Sequence, residues 1–160
     1  MIRGYSGTLI DMQGAIDMHI HPYPDIFPRL ADDVEIALAA REMGFRAVAY
    51  KAHHENTVSR AYFTNGLVPG VTVIGGIVLN AYVGGVNPAA AEVALTMGGR
   101  IVWLPTVDSP HHIHTHGGSR DLVGLKSSVR TGGVVHVTDD AGRLVPEVHD
   151  VLDVIAEHGA

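Results

Sequence analysis

Apolar and polar residues alternate through Ile16-Asp17-Met18-His19-Ile20-His21, and two prolines, Pro22 and Pro24, then end the pattern. A period of two sends successive side chains to opposite faces of a strand. A first buried strand is therefore predicted over residues 15–21, with Asp17, His19 and His21 on one face and Ile16, Met18 and Ile20 on the other. The proline-rich stretch 22–28, which carries Asp25, reads as a loop. The period then changes. Leu30, Val34, Ala37 and Leu38 form an apolar stripe that predicts a helix over 31–43. Asp32, Asp33 and Glu35 suit its N-terminal dipole, and Gly44 suits its end.

The same alternation of elements repeats. Residues 46–53 read as a second buried strand, 56–65 as a more polar helix and 71–80 as a third strand. Asn87-Pro88 is a strong helix start, a capping side chain followed by proline in the first turn. Ala90, Val93, Ala94 and Met97 follow at i, i+3, i+4 and i+7, Gly98-Gly99 closes the helix, and 100–106 is a fourth strand. A long excursion, 107–132, comes next. Residues 133–138 and 143–145 flank Asp139-Asp140-Ala141-Gly142 as a small hairpin, and Pro146 opens a last helix. Residues 1–14 are weakly patterned and are expected to pack outside the main sheet.

Near-continuous apolar strands alternating with helices belong to a parallel sheet covered by helices. The fold class expected is α/β: a parallel (βα) repeat, TIM-barrel-like, with four βα units plus a hairpin in one domain, 1–160. A (β/α)8 barrel needs about 200 residues or more. The pattern stops after a helix, where another strand would follow, so the expectation is a half or incomplete barrel. Such a piece exposes an apolar edge that must pair, either with a second copy as a homo-oligomer or with a partner chain that supplies the remaining strands.

Composition narrows the partners and the chemistry. The formal net charge is −6, which gives no reason to expect a nucleic-acid partner. No run approaches the about 18 apolar residues of a membrane span. Met1-Ile2-Arg3-Gly4-Tyr5 lacks the basic-then-apolar order of a signal peptide, so a cytoplasmic location is expected. There are no cysteines, which excludes disulfides, thiolate metal sites and a cysteine nucleophile. Histidine is abundant instead, with 11 in 160 residues.

Active sites of parallel βα folds form at the C-terminal ends of the strands. That rule gathers His19 and His21 after strand 1, Lys51, His53 and His54 after strand 2, Asn80 after strand 3, and Thr106, Asp108 and the run His111 to His116 after strand 4. Two imidazoles two residues apart, behind an aspartate and before a rigid loop, read as a metal-binding pair rather than as buried hydrogen-bonded histidines. Imidazole suits Zn, and also Mn, Fe or Ni, with one or two ions in the site. His53 and His54 each qualify as a further ligand. Lys51, ending a buried strand, is costly unless it is paired or functional. It has three readings: an ion pair with Asp17 or Asp25, a contact to an anionic substrate, and, ranked lower, a carbamylated lysine bridging two metals. The His111–His116 run is a solvated loop, a tract that binds metals adventitiously, or a lid that touches substrate. Trp103 reads as core rather than as a substrate platform. The paired glycines at 75–76, 84–85 and 98–99 form no phosphate-binding fingerprint.

Asp17 to His21, Asp25, Lys51 to His54, Gly75 to Asn80, Gly84 to Pro88 and the strand Val102-Trp103-Leu104-Pro105-Thr106 together resemble the amidohydrolase and PHP-type metal-dependent hydrolases, most closely an uncharacterised amidohydrolase-like group. The resemblance spans about residues 12–158 and implies the N-terminal half of a TIM-like barrel. It implies His19 and His21 as ligands of one or two metal ions that activate water on a C–N, C–O or P–O bond of a small molecule. His53 or His54 is similar to the histidine that PHP-type proteins place after strand 2. The chain departs from that pattern at Ala52 and Val78, which stand where an aspartate and a glutamate are usual, and it lacks strands equivalent to 5, 6 and 8, which carry further ligands. The assignment expected from all of this places His19, His21 and His53 on the metal. Lys51 and His54 act as catalytic groups. Asp25, Asn80, His111, His112 and His114 contact the substrate. The alternative expectations are a non-catalytic metal- or ligand-binding half-barrel and an open-sheet α/β binding protein whose histidines are structural.

Overall fold

The computed structural model describes residues 11–117, 121–122, 125–126 and 132–160. Helices alternate with parallel strands, and no closed barrel forms among the described residues. Strand β1 (Ile16–Ile20) is followed by helix α1 (Asp33–Glu42), β2 (Ala47–Tyr50), α2 (Val58–Leu67), β3 (Thr72–Ile74) and β4 (Gly76–Val78). A 3-10 turn (Ala81–Val83) leads to α3 (Pro88–Thr96), β5 (Ile101–Trp103) and α4 (Pro110–His116). The short strands β6 (Asp121–Leu122) and β7 (Leu125–Lys126) pair antiparallel, and α5 (Pro146–His158) closes the order. The expected packing of residues 1–10 lies outside the described residues.

The helix starts are written in the sequence. Asp32 accepts from the Glu35 amide while the Glu35 carboxylate accepts from the Asp32 amide, a reciprocal capping box. Asn87 caps α3, with Pro88 in its first turn. Two apolar clusters form behind the sheets. Ala37, Ala40, Val48, Tyr50, Ala61, Val68, Val71 and Val73 join α1 and α2 to β2 and β3. Val58, Ile77, Leu79, Ala91, Ala94 and Val151 join α3 and α5 to β4.

The third strand, expected over 71–80, is broken at Gly75. Its first part pairs with β2 and its second with β5, so the parallel array divides into β1-β2-β3 and β4-β5. The cause is the start of α2. The buried Thr57 hydroxyl donates to the Tyr50 carbonyl (2.7 Å) and accepts from the Gly76 amide (3.0 Å), and the Thr57 amide donates to the Gly76 carbonyl (2.9 Å). A Cβ on Gly75 would stand 2.6 Å from Val58 Cα, and one on Gly76 would stand 2.3 Å from the Ile101 carbonyl oxygen. Only glycine lets the helix and β5 come this close.

Three other expectations change. Strand β1 is an edge strand that pairs with β2, and Ile16 (46% exposed) and Met18 (55% exposed) face outward instead of into a core. A register shift between Asp17 and Ile20 also interrupts its strict alternation. The His111–His116 run is helical and not a loop: Ser109 accepts from the His112 amide, Pro110 sits in the first turn, and Gly117 ends the helix in the left-handed region at φ 83°. The hairpin around 139–142 reduces to one antiparallel bridge, Thr138 to Leu144, because the Asp139 carboxylate gathers the amides of Ala141 and Arg143 into a tight turn.

Substitutions at the break separate close approach from simple flexibility. Gly75→Ala must move backbone, so a loss of about 1–3 kcal/mol is expected from urea unfolding. Thr57→Val leaves the Gly76 amide without its acceptor and is expected to cost about 1–3 kcal/mol. Gly66, inside α2 with open space at its Cβ position, is the control: Gly66→Ala is expected to stabilise by about 0.5–1 kcal/mol.

Candidate functional site

Parallel pairing carries the ends of successive strands to one edge, and the reactive side chains collect there. Lys51 continues the ladder by donating its amide to the Ile20 carbonyl (2.9 Å), which sets the end of β2 beside the end of β1. His19 and His21 share a hydrogen bond, Nε2 to Nε2 at 2.8 Å, with ring centroids 4.8 Å apart. The Asp17 carboxylate accepts from the His19 amide and so fixes the backbone between them. His53 stacks on His21 at 4.6 Å, and His54 lies edge-on to Tyr82 at 4.7 Å and 6.0 Å from Phe27. The strand ends thus carry a continuous row of rings: His19, His21, His53, His54, Tyr82.

A buried frame holds this row. Asn80 donates to the His53 carbonyl (3.0 Å), and its side-chain oxygen accepts from the Thr106 amide (2.8 Å). The Thr106 hydroxyl lies 3.2 Å from His53 Nδ1. Asp108 accepts from the Ala81 amide (3.0 Å) and is itself buried. One amide side chain therefore ties the ends of β2, β4 and β5 together.

The electrostatics favour neutral imidazoles. Burial, helped by Arg29 and by His19, pushes His21 down to about 4. Burial, helped by His21 and Lys51, pushes His53 down to about 2. Burial also lowers His19 and His54. Neutral imidazole is the form that binds a metal. Two nitrogens on one zinc ion at about 2.0–2.1 Å lie about 3.3 Å apart at the tetrahedral angle, so the His19–His21 pair stands within about 0.5 Å of a ligating separation. His21 Nδ1 and His54 Nε2 are buried with no hydrogen-bond partner. Among the described residues, no three His, Asp or Glu side chains converge as a ready-made cage. What the described residues offer a metal is a two-histidine nucleus, His19 and His21, with His53 packed against it.

Lys51 is 4% exposed, and burial lowers its pKa. Neither expected partner reaches it: Asp17 engages the His19 amide, and Asp25 pairs with Arg29 at 2.6 Å. Its ammonium instead lies 5.4 Å above the Trp103 ring, so Trp103 is half-buried beneath a cation. Among the described residues Lys51 has no ion pair. Asp25 and His54 line a cavity of about 300 Å³ with Pro24, Ile26, Ala52 and Glu55. A larger recess of about 540 Å³, lined by Ala81, Gly84, Val135, His136 and Glu147 among others, contains none of the row's histidines.

Asn80 is fully buried in the frame. His111 and His114 sit on α4, and no ring contact or hydrogen bond among the described residues joins them to the row. Tyr82 and Arg29 are the neighbours that the sequence patterns left unnoticed. Tyr82 follows the end of β4 by four residues, which is the one signal that marked its place. Arg29 carries no signal beyond its spacing of four from Asp25.

The strand ends thus define a parallel βα protein with a histidine-lined, partly desolvated edge. Residues 14–160 match the model described as a family of unknown function, DUF6282, and the chain belongs to that family. Searches of curated proteins and of solved structures returned no match. No helix among the described residues is long and apolar enough to cross a membrane.

The desolvated histidines fix a pH response of the metal-free protein. His21 and His53 titrate in the fold below the ordinary 6.5 of the unfolded chain. Between about 4 and 6.5 the unfolded chain therefore binds more protons, and stability rises with pH. This contribution is fully present above 6.5 and is lost as pH falls toward 4. Urea midpoints of chelator-treated protein at several pH values are expected to show that slope, and His53→Asn is expected to make it shallower.

Proposed function

We propose that this chain is part of a metal-dependent hydrolase of the amidohydrolase-like kind, acting on a C–N, C–O or P–O bond of a small molecule in the cytoplasm. The observation that carries the proposal is the 2.8 Å approach of His19 Nε2 to His21 Nε2 at the C-terminal edge of a parallel array, with His53 stacked on His21. His19, His21 and His53 would hold one or two divalent ions, zinc before manganese, iron or nickel. An ion bound there would supply a water of lowered pKa and a Lewis acid for the substrate oxygen.

The remaining roles belong to the chain's own groups. His54, neutral and with a buried unpartnered Nε2, accepts a proton at that atom. The Lys51 ammonium, buried and without a carboxylate partner among the described residues, holds an anionic part of the substrate. Phe27 and Tyr82 exclude water from the His54 ring. The cavity that Asp25 shares with His54 receives the substrate, with Asn80 bracing the wall behind it. The His111, His112 and His114 helix stands as a further substrate wall.

A second reading is favoured by the outward-facing Ile16 and Met18 on edge strand β1. In that reading the chain is a TIM-like half-barrel that binds metal or ligand but completes its site only with a second copy or with a partner chain. Light scattering separates the two: the second reading expects a dimer or larger assembly, and a monomer active on its own would remove it.

Elemental analysis of the purified chain tests the main reading. The parent protein is expected to carry at least one zinc-class ion, and His19→Ala with His21→Ala to lose it. Unchanged metal content in that double variant would sink the metal reading. With a hydrolysed substrate in hand, His54→Gln is expected to lower kcat by about 10²–10⁴ while metal content stays constant.

A further inference from the structure

The proposed function uses the histidine run on α4 only as a wall and leaves His116 without a role, yet the helix geometry sorts its members. His112 and His116 are one turn apart, and their rings meet with centroids at 4.9 Å and planes tilted by 50°. Residues i and i+4 of a helix share a face, and two histidines at that spacing can close on one ion. His111 and His114 fall on other sides of the same helix. His112 Nε2 is buried and has no hydrogen-bond partner. A buried imidazole nitrogen left empty is costly and calls for an occupant.

The surroundings supply a counter-charge. His112 lies in the field of Asp108, the same buried carboxylate that acts on His54. Asp108 stands four residues before His112, just outside the helix start, where Ser109 takes the capping role. The backbone that carries Asp108 is fixed from two directions: its carbonyl accepts from the Val135 amide (2.8 Å), and its carboxylate accepts from the Ala81 amide (3.0 Å). Asp108 thus precedes α4 and His112 lies in its first turn, while His116 is its last residue. His116 is exposed at the far end of the pair, so solvent can complete a coordination shell.

We propose that His112 and His116 form a second divalent-cation site, distinct from the His19–His21 pair, with the Asp108 carboxylate as its counter-charge. Nitrogen donors and an open shell select zinc or a neighbouring first-row ion over calcium or magnesium. The pair closes on the ion through its side chains alone, because the helix already sets their spacing. The site does not depend on the hydrolase reading, and it gives the His-rich run a definite stoichiometry of one ion.

The test is a Zn²⁺ titration of the full chain by calorimetry, with the bound metal counted by elemental analysis after desalting. The parent protein is expected to bind one ion more than the His112→Ala, His116→Ala double variant. His116→Ala alone, at an exposed position that leaves packing intact, is expected to lose the same ion. His111→Ala with His114→Ala is expected to keep the parent ion count. The proposal is overturned if the 112/116 variant keeps the parent count, or if the 111/114 variant loses as much, since that marks an undifferentiated histidine tract. His19→Ala with His21→Ala keeps the two readings apart. Loss of a different ion there leaves this site standing, and loss of the only ion there, with none lost at 112 and 116, removes this site and leaves the first.

Discussion

One threonine hydroxyl sets the relation between the two halves of the parallel array. Thr57 bonds to the end of β2 through the Tyr50 carbonyl and to the start of β4 through the Gly76 amide, at the point where the third strand breaks. Neither sheet pairs with the other, so these contacts and the close glycine packing carry the registration. The distance between the ends of β2 and β4 follows from it, and with it the Asn80 bond to the His53 carbonyl. The Asn80 and Thr106 bonds to His53 then complete the tie between the histidines and the far side.

The electrostatic character of the edge follows from the same packing. His53 and Lys51 are both buried; burial lowers the pKa of each, and the Lys51 ammonium further disfavours a charge on His53. The neighbourhood resolves this by keeping the imidazoles neutral and letting the single ammonium rest against the Trp103 face. Arg29 pairs with Asp25, one of the two carboxylates that the sequence offered as a partner for Lys51. The outcome is a row of neutral rings beside a lysine with no ion pair among the described residues.

Much of the chain was legible because its signals are local. The capping box at Asp32 and Glu35, the Asn87-Pro88 start and the apolar strand runs name their elements without reference to the fold. The rule that strand ends carry chemistry placed His19, His21, His53 and His54 together correctly. What was not legible depends on partners far along the chain. The break at Gly75 needs the α2 backbone beside it, the exposure of Ile16 and Met18 needs the edge position of β1, and the isolation of Lys51 needs Arg29 to have taken Asp25. The histidine run was misread for a different reason. Histidine has modest helix propensity, and the cap at Ser109 with Pro110 outweighs it.

Arg60 has a consequence for how a ligand would be received. Its guanidinium makes five hydrogen bonds, two to Asp33, one to Glu55 and one each to the carbonyls of Pro22 and Pro24. That is the full donor complement of the group. The loop after β1 is therefore clamped to α1 and α2, and Asp25 and Glu55 reach their shared cavity from a single stiff body. A molecule entering there meets a preorganised wall and loses little free energy to ordering it, so discrimination at this cavity rests on shape and charge rather than on induced closure.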